Sequence, residues 1–409
     1  MKKQSIAARV AASCGLAAAL VGCGGGSSNS SVPAPNAVTI GVQNGIYTAV
    51  GQTVTVSWSN SQRAACSGSG ALAGALAASG TQAVVPTAEG ADTFTVTCGG
   101  TVQSATITVL PQYTTIKDAV FEQALVTLGV DDVLDGKVLT ASILKVKKLA
   151  IYGGAPYQMA SDVQAVTTGS AYITDATGLE NFRNLTWLRF DNQKVASFDL
   201  SRLTGLTWLS LWQEPITTLD LSHNLALETV GLSETSLSAV DLSALSNLTD
   251  LEIQEDEAMQ GAVYTLANGT VVTGFTSLDV SHNSQLDHIL AFGNHLTTLD
   301  LSHNFVFTSA SLSYNRLTSM TIAGDKKIDS LVVDHNQLTS LDIAGSAIGQ
   351  IVGPQGLISN GNPGLTSITV TNAAQMTTWC SNAVAATAKN STDYGVCTVD
   401  AGTVFVSGT

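Results

Sequence analysis

Charged side chains are scarce in this chain of 409 residues: they make up 12% of it, against 44% hydrophobic residues. Disordered chains have the opposite balance, so the scarcity of charge excludes disorder over most of the length. Basic residues are fewer still, with 17 Lys and Arg against 31 Asp and Glu and a formal net charge of −14. Binding to nucleic acid requires a basic patch for the phosphates, so the charge argues against that function class.

Cysteine is also rare, and long hydrophobic runs are missing beyond the N-terminus. Six cysteines are too few for a small disulfide-dense protein, so their positions matter more than their number. After the first 22 residues no run of 18 apolar residues occurs, so we expect the remainder to be soluble and exported. Glycine is abundant, and the 37 glycines predict many turns and β-structure. The length of 409 residues predicts two or three domains.

Residues 1–22 have the organisation of a secretory signal. A start with three basic residues precedes an apolar run at 11–21, which is too short to cross a hydrocarbon core of about 30 Å. The segment ends in Leu20-Val21-Gly22-Cys23, which resembles the lipobox of bacterial lipoproteins. A Gly/Ser/Pro tether follows over residues 23–35.

The lipobox resemblance implies that Cys23 becomes the mature N-terminus and carries thioether-linked diacylglycerol and an N-acyl chain. Two or more acyl chains anchor a protein stably, whereas one binds reversibly. Gly24 stands where an Asp would be expected in other lipoproteins, and this is usual for those sent to an outer membrane. We therefore expect a chain anchored to the bacterial cell envelope, at the outer rather than the inner membrane. An ordinary secretory signal with a chance cysteine is the alternative.

Residues 36–110 predict a small β-sandwich. Thr or Ser alternates with apolar residues in three runs, separated by segments rich in Gly, Ser and Asn, at 54–58, 94–98 and 106–109. Cys66 and Cys98 lie in this block, and an exported compartment allows them to form a disulfide. The Trp-containing run and the two cysteines after it resemble bacterial immunoglobulin-like domains. Such modules are usually spacers, and ligand binding is the alternative.

The remainder of the chain is a repeat whose period can be counted. Tetrads of the form Asp-Leu-Ser-x, weakening toward the end, start at residues 199, 220, 241, 279, 300, 321 and 342. A second motif, Leu-x-x-Leu-x-Leu, starts at residues 185, 206, 227, 248, 286, 307 and 328. Both series advance in steps of 21 residues, apart from one step of 38 that contains an insertion of about 17 residues at 254–270. Two apolar motifs in register over seven turns predict a solenoid.

This pattern resembles the leucine-rich repeat, and in particular the internalin-like class of bacterial surface proteins. In that family an Asn in each turn binds unpaired backbone groups. Asn294, Asn315 and Asn336 fit this role, but the first four turns have Gln193, Glu214, Thr235 and Asp256 at the corresponding position. The resemblance implies a mainly β fold: a leucine-rich-repeat solenoid over residues 181–372, with turns of about 21 residues, a short N-terminal helical cap and the immunoglobulin-like sandwich before it.

A solenoid needs a cap at its N-terminal end. A capping box at 115–118 precedes a run with the apolar spacing of a helix, and the stretch from 121 to 138 resembles the N-terminal cap of the same family. Residues 113–180 are therefore predicted to hold this cap and a first, imperfect turn. Residues 153–170 are predicted to be an insertion in that turn.

The C-terminal cap is predicted at residues 373–409. Cys380 and Cys397 flank a segment rich in Ser, Asn and Thr, and we interpret them as a disulfide that staples this cap. Cys14 is removed with the signal and Cys23 carries lipid. With the other four cysteines paired, no thiol is left for catalysis.

Sequence motifs of enzymes are missing: the chain has no Gly-x-Ser-x-Gly, His-Glu-x-x-His, P-loop or dinucleotide fingerprint. An acidic cluster opens the long insertion, and we interpret it as an exposed loop rather than a calcium or paired-carboxylate site: Glu252, Glu255, Asp256 and Glu257. Histidines recur at equivalent positions 223, 282 and 303. His282 and His303 would stack on adjacent turns about 5 Å apart, which would allow a metal, although repeats stack residues in any case. We expect no catalysis, no metal and no cofactor.

The outward positions of the predicted strands form columns across the sheet. Tryptophans occupy them on two adjacent turns, and exposed Trp and Arg are frequent binding anchors. The candidate ligand-binding residues are therefore Trp187, Arg189, Asp191, Trp208, Trp212, His288 and Phe292. The alternative is that the 153–170 insertion or the immunoglobulin-like domain covers them.

The sequence thus predicts a non-catalytic, lipid-anchored envelope protein. Its concave sheet, centred on the tryptophans, would recognise a protein partner or mediate adhesion. The second hypothesis is glycan capture, because flat tryptophans also stack on sugar rings. A third is a structural envelope spacer without a specific ligand.

Overall fold

The computed structural model describes residues 38–43, 45–154, 160–256, 262–322, 327–348, 356–387 and 396–408. The predicted signal sequence, the tether and the lipidated Cys23 lie outside these residues. Within the described ranges, no helix has the length and apolar character needed to cross a membrane.

The N-terminal module consists of two sheets around one buried apolar cluster. Its strands are β1 (Val38–Val42), β2 (Tyr47–Ala49), β3 (Val54–Asn60), β4 (Cys66–Ser69), β5 (Gly74–Leu76), β6 (Ser79–Val84), β7 (Gly90–Cys98) and β8 (Thr101–Leu110). The sheets have the strand orders β1-β3-β6 and β2-β8-β7-β4-β5. The alternating pattern of the sequence is visible in β3, where Val54, Val56 and Trp58 are buried between half-buried neighbours.

The predicted disulfide between Cys66 and Cys98 is confirmed. The two residues face each other directly on the antiparallel neighbours β4 and β7, inside one sheet. In antibody domains the conserved disulfide instead joins the two sheets. The resemblance to immunoglobulin-like domains therefore stays a prediction.

A short helical segment follows, with β9 (Tyr113–Thr115), α1 (Ala119–Thr127), β10 (Lys137–Leu139) and α2 (Thr140–Ile143). Asp118 begins α1, because its Oδ1 accepts the backbone N–H groups of Val120 and Phe121. Buried Glu122 then accepts three backbone N–H groups of the loop at 135–137, which closes that loop onto the helix. The helix predicted from the sequence is present. The predicted capping box is wrong, because Asp118 itself is the N-cap residue and Thr115 belongs to β9. That this segment caps the solenoid stays a prediction.

The solenoid is built on a parallel sheet of eleven strands. These are, in chain order, β11 (Lys148–Gly153), β12 (Gln164–Gly169), β13 (Trp187–Asp191), β14 (Trp208–Ser210), β15 (Thr229–Gly231), β16 (Asp250–Glu252), β19 (His288–Leu290), β21 (Ser309–Ser311), β23 (Ser330–Val332), β25 (Gly356–Ile358) and β27 (Val396–Thr398). Their inward leucines, such as Leu188, Leu209 and Leu251, are buried in one continuous core. The parallel sheet and the buried leucines fit the predicted leucine-rich solenoid.

The 153–170 segment, predicted as an insertion in the first turn, contributes a strand to the long sheet. Its described part includes β12, which pairs in parallel with β11 and forms the edge of the sheet. The spatial order is therefore β12-β11-β13, and the sheet extends one strand beyond the first predicted turn. Residues 155–159 lie outside the described part of the chain.

The long insertion forms a hairpin of β17 (Tyr264–Thr265) and β18 (Val271–Val272). Buried Asn268 at its tip donates its amide to the backbone carbonyls of Gln193 and Gln213. Glu255 is also buried, with 3% of its surface exposed. The interpretation of the acidic cluster as an exposed loop is therefore wrong for Glu255, while Glu257 lies outside the described residues.

The opposite wall of the solenoid carries two shorter parallel sheets. They consist of β20 (Thr298–Asp300) with β22 (Ser319–Thr321), and of β24 (Leu341–Asp342), β26 (Ser367–Val370) and β28 (Val404–Ser407). Helix α3 (Ala373–Thr387) precedes β27, and the predicted disulfide between Cys380 and Cys397 is confirmed and joins the two elements. The C-terminal segment thus adds one strand to each wall.

Candidate ligand-binding face

The predicted columns across the long sheet are present. Trp187, Trp208 and Thr229 stand opposite one another on neighbouring strands, and the column continues with Asp250 and His288. Successive side chains of a strand point to opposite sides, so the leucines between these positions enter the core and the listed side chains point away from it. We call this side the outward face; it comprises the outward positions of β13 to β25.

A pair of stacked tryptophans is the most distinctive feature of the outward face. The rings of Trp187 and Trp208 lie 4.2 Å apart and are inclined by 9°. Both side chains are half-buried, as is Trp212 just beyond β14. An aromatic pair contributes about 0.5–1.5 kcal/mol beyond the area that it buries, so this platform is held in place before any ligand arrives.

Arg189 and Asp191 form an ion pair beside the tryptophans. The expectation that Asp191 contacts a ligand is not met, since only 1% of its surface is exposed. Its Oδ1 accepts the Ser210 hydroxyl and the Trp212 backbone N–H, so Asp191 ties the ends of β13 and β14 together. Burial raises the pKa of Asp191, and the Arg189 guanidinium opposes this effect. Asp191 therefore positions Arg189 and Trp212.

His288 lies further along the same column, among carboxylates. Its Nδ1 is 3.3 Å from Oδ2 of Asp287 and 3.5 Å from Oδ1 of Asp250. Its Nε2 is 3.3 Å from the Thr308 hydroxyl. Phe292, the last candidate, is half-buried just beyond β19.

The columns predicted from the sequence did not include all of the carboxylates near His288. Burial and the repulsion of Asp250 raise the pKa of Glu252, which is on the outward face of β16. Burial and the repulsion of Asp287 raise the pKa of Asp329. Asp287 and Asp329 directly precede β19 and β23, one position before the columns begin, and their shared spacing in the repeat was the signal available in the sequence.

Two features of the described residues bear on metal binding and nucleophilic chemistry. Among the described residues, no group of three or more His, Cys, Asp and Glu side chains could hold a metal ion. Ser313 and His335 both contact Asp334, the serine through Oδ1 and the histidine through Oδ2. This is not the geometry of a nucleophilic serine, which needs the histidine as its direct hydrogen-bond partner.

Trp187 and Trp208 are half-buried. The described part of the 153–170 segment, one of the two suggested covers, includes β12, which lies at the edge of the sheet, two strands away from β13. The tip of the insertion hairpin lies over the backbone at Gln193 and Gln213, beyond the ends of the strands. The N-terminal module meets the solenoid on another side, where a cleft of about 360 Å³ is lined by Tyr47, Lys145 and Asn184 among others. The predicted histidine pair, His282 and His303, is exposed on the opposite wall.

No protein-family model matches the chain, and no curated protein is similar to it. Among solved structures, the functional domain of InlJ from Listeria monocytogenes is similar at 19% identity and a TM-score of 0.34, over 64% of this chain and 68% of that one. The leucine-rich-repeat domain of APL1B is similar at 14% identity and a TM-score of 0.35, over 49% and 62%. A plant ice-binding protein is similar at 16% and 0.28, over 48% and 68%. The chain thus spans less than two thirds of the APL1B domain.

Proposed function

We propose that this chain is a non-catalytic, lipid-anchored protein of the bacterial cell envelope that recognises a protein partner, or mediates adhesion, through its outward face. Anchoring at the outer membrane is supported by the lipobox-like residues 20–23 and by Gly24. Export is supported by the two disulfides, which form in oxidising compartments.

The stacked pair of Trp187 and Trp208 is the observation that carries the proposal. Tryptophan, with Tyr and Arg, is enriched among the residues that dominate binding at protein interfaces. Two of them, pre-positioned by stacking and by the register of β13 and β14, need little further ordering when a partner binds. Half-buried Trp212 lies two residues beyond the end of β14.

A binding screen with the Trp208→Ala/Trp212→Ala variant tests the proposal. Purified chain without its lipid is presented to envelope and host-surface protein arrays and to insoluble polysaccharides. Phe305→Ala is the matched control, because Phe305 is an aromatic residue with 65% exposure outside the outward face. We expect the double variant to lose its protein ligands by at least about tenfold in affinity, while the control keeps them.

Glycan binding is the second candidate function, because the Trp187 and Trp208 rings are nearly parallel and present a flat stack. Under this hypothesis the double variant loses retention on polysaccharide and leaves protein binding unchanged. If neither assay responds to the double variant, both binding functions are excluded and a structural spacer remains.

A further inference from the structure

The insertion hairpin is attached at its tip to two earlier turns of the solenoid. The amide of Asn268 donates to the carbonyls of Gln193 and Gln213, and the Thr270 hydroxyl donates to the Gln213 carbonyl as well. Asn268 and Thr270 are both buried by these contacts. Gln213 directly follows Trp212, so the tip of the hairpin is fastened beside a residue of the candidate binding face.

A buried carboxyl group meets the hairpin at its base. The exposed fraction of Glu255 is 3%, and its Oε2 accepts the hydroxyl of Tyr264 in β17 at 3.4 Å. The same hydroxyl accepts the backbone N–H of Asp256, so Tyr264 joins the hairpin to the turn that follows β16. Oε1 of Glu255 is buried and has no hydrogen-bond partner in the structure.

The groups that face Glu255 do not compensate a negative charge there. The carboxylate of Glu234, on the turn after β15, repels it, while the Tyr264 hydroxyl and the Glu234 backbone N–H favour the ionised form. Gly293, on the turn after β19, approaches Glu255 without a side chain. Burial raises the pKa of Tyr264, and Glu234, Glu255 and Asp256 add to the shift, so the hydroxyl keeps its proton. Among the described residues, no basic side chain acts on Glu255.

We propose that the insertion hairpin is a pH-dependent latch, which is closed while Glu255 is protonated and opens locally, with the solenoid still folded, when Glu255 releases its proton. A neutral carboxyl group tolerates burial, whereas a carboxylate without a paired cation requires water, which reaches Glu255 when the hairpin lifts away. The inference is independent of the proposed function, because it concerns the hairpin and not the ligand.

The sign and size of the effect follow from linkage. In the closed hairpin, burial raises the pKa of Glu255 to about 9, and an opened hairpin returns it toward the ordinary 4.5. The open form therefore binds fewer protons than the closed form between these values. Opening becomes more favourable by up to about tenfold for each pH unit in this range, so the latch is closed in acid and loosens as the pH rises.

Hydrogen exchange of the purified chain, followed by mass spectrometry at pH 6 and pH 8, tests the latch. Rates are divided by the intrinsic exchange rate at each pH. The hairpin is reported by the amides of Leu266 and Gly269, and the solenoid by that of Leu312, which donates to the Val332 carbonyl. We expect hairpin protection to fall by about tenfold to a hundredfold from pH 6 to pH 8, with Leu312 better protected at both.

Three variants assign the effect to one carboxyl group. Glu255→Gln cannot ionise, so its hairpin protection is expected to be independent of pH between 6 and 8. Glu228→Gln, at an exposed position, is the matched control and is expected to keep the decline of the wild type. Tyr264→Phe removes the hydroxyl but keeps the carboxyl group, so we expect weaker hairpin protection at both pH values and a decline that persists.

Equal hairpin protection at pH 6 and pH 8 in the wild type would overturn the inference. A decline in Glu255→Gln as steep as that of the wild type would overturn it too, because another group would then be responsible. Equal protection of the hairpin and of Leu312 at pH 8 would show that Glu255 acts through global unfolding alone, without a latch.

Discussion

At the scale of single residues, Glu255 shows how strongly tertiary contacts change the character of a side chain. Burial raises its pKa to about 9, Glu234 adds repulsion, and the Tyr264 hydroxyl opposes the shift by donating to Oε2. Oε1 is buried without a partner. The sequence showed only an acidic run at the start of an insertion. Its burial depends on the hairpin that returns over it, and no local pattern encodes that contact.

The raised pKa of Glu255 predicts a pH dependence of stability. The folded chain keeps this proton up to about pH 9, whereas an unfolded chain releases it near pH 4.5, so stability is complete at low pH and declines as the pH rises between these values. Buried Glu214, whose pKa is also raised well above its usual value, acts in the same direction. We expect the melting temperature to be lower at pH 8 than at pH 5.

The variant Glu255→Gln checks this assignment, because an amide fills the same volume and cannot ionise. We expect it to flatten the decline in melting temperature between pH 5 and pH 8 and to melt higher than the wild type at pH 8, as followed by circular dichroism. Glu228→Gln is the control at an exposed position. A decline in the Glu255 variant as steep as that of the wild type would contradict the assignment.

At the scale of the element, most described turns of the solenoid change direction at one residue with a left-handed backbone. The residue before the ladder position has a left-handed backbone on most described turns, at Asn192, Gln213, Glu234, Gly293, Tyr314, His335 and Gly361. The ladder residue then closes the turn: Oδ1 of Asn315 accepts the Leu296 N–H, and its amide donates to the carbonyls of Ala291 and Leu312. The predicted asparagine ladder is confirmed at Asn294, Asn315 and Asn336.

The early turns keep this geometry with other side chains. Both carboxylate oxygens of Glu214 accept backbone N–H groups, those of Gln193 and Val195. The amide of Asn268 on the insertion hairpin donates to two further carbonyls of these turns, those of Gln193 and Gln213. The period, the strands and the columns could be predicted because leucine spacing is local. The contact of Asn268 with the backbone of Gln213, 55 residues earlier in the chain, could not.

A substitution at Gly293 tests the requirement for a left-handed backbone in these turns. Its φ is +78°, and an added Cβ would lie 3.0 Å from Cβ of Glu255. Gly293→Ala is therefore expected to destabilise the solenoid by about 1–2 kcal/mol, through the left-handed backbone and the close approach together. Gly205→Ala is the control, since that glycine has no left-handed φ and its nearest atom would be 3.5 Å away. Urea unfolding measures both; equal stabilities would contradict the assignment.

At the scale of the whole molecule, the N-terminal module stands between the predicted anchor and the solenoid. The Arg183 guanidinium of the solenoid lies 5.7 Å from the ring centroid of Tyr47 in the module, beside the cleft that both share. In the proposed lipid-anchored form, this module would be a folded spacer between the tether and the outward face.

This anchoring requires lipid at Cys23. Separate variants of Cys23 and of Cys14, the other cysteine near the N-terminus, test the requirement. The full chain is expressed in a bacterium with an outer membrane and fed an alkyne fatty acid. Wild type and Cys14→Ser are expected to incorporate the label and to stay with the outer membrane after a high-salt wash. Cys23→Ser is expected to lose both, because without acyl chains no described helix can hold the chain in a bilayer. Labelled, membrane-retained Cys23→Ser protein would show that the chain is held by another means.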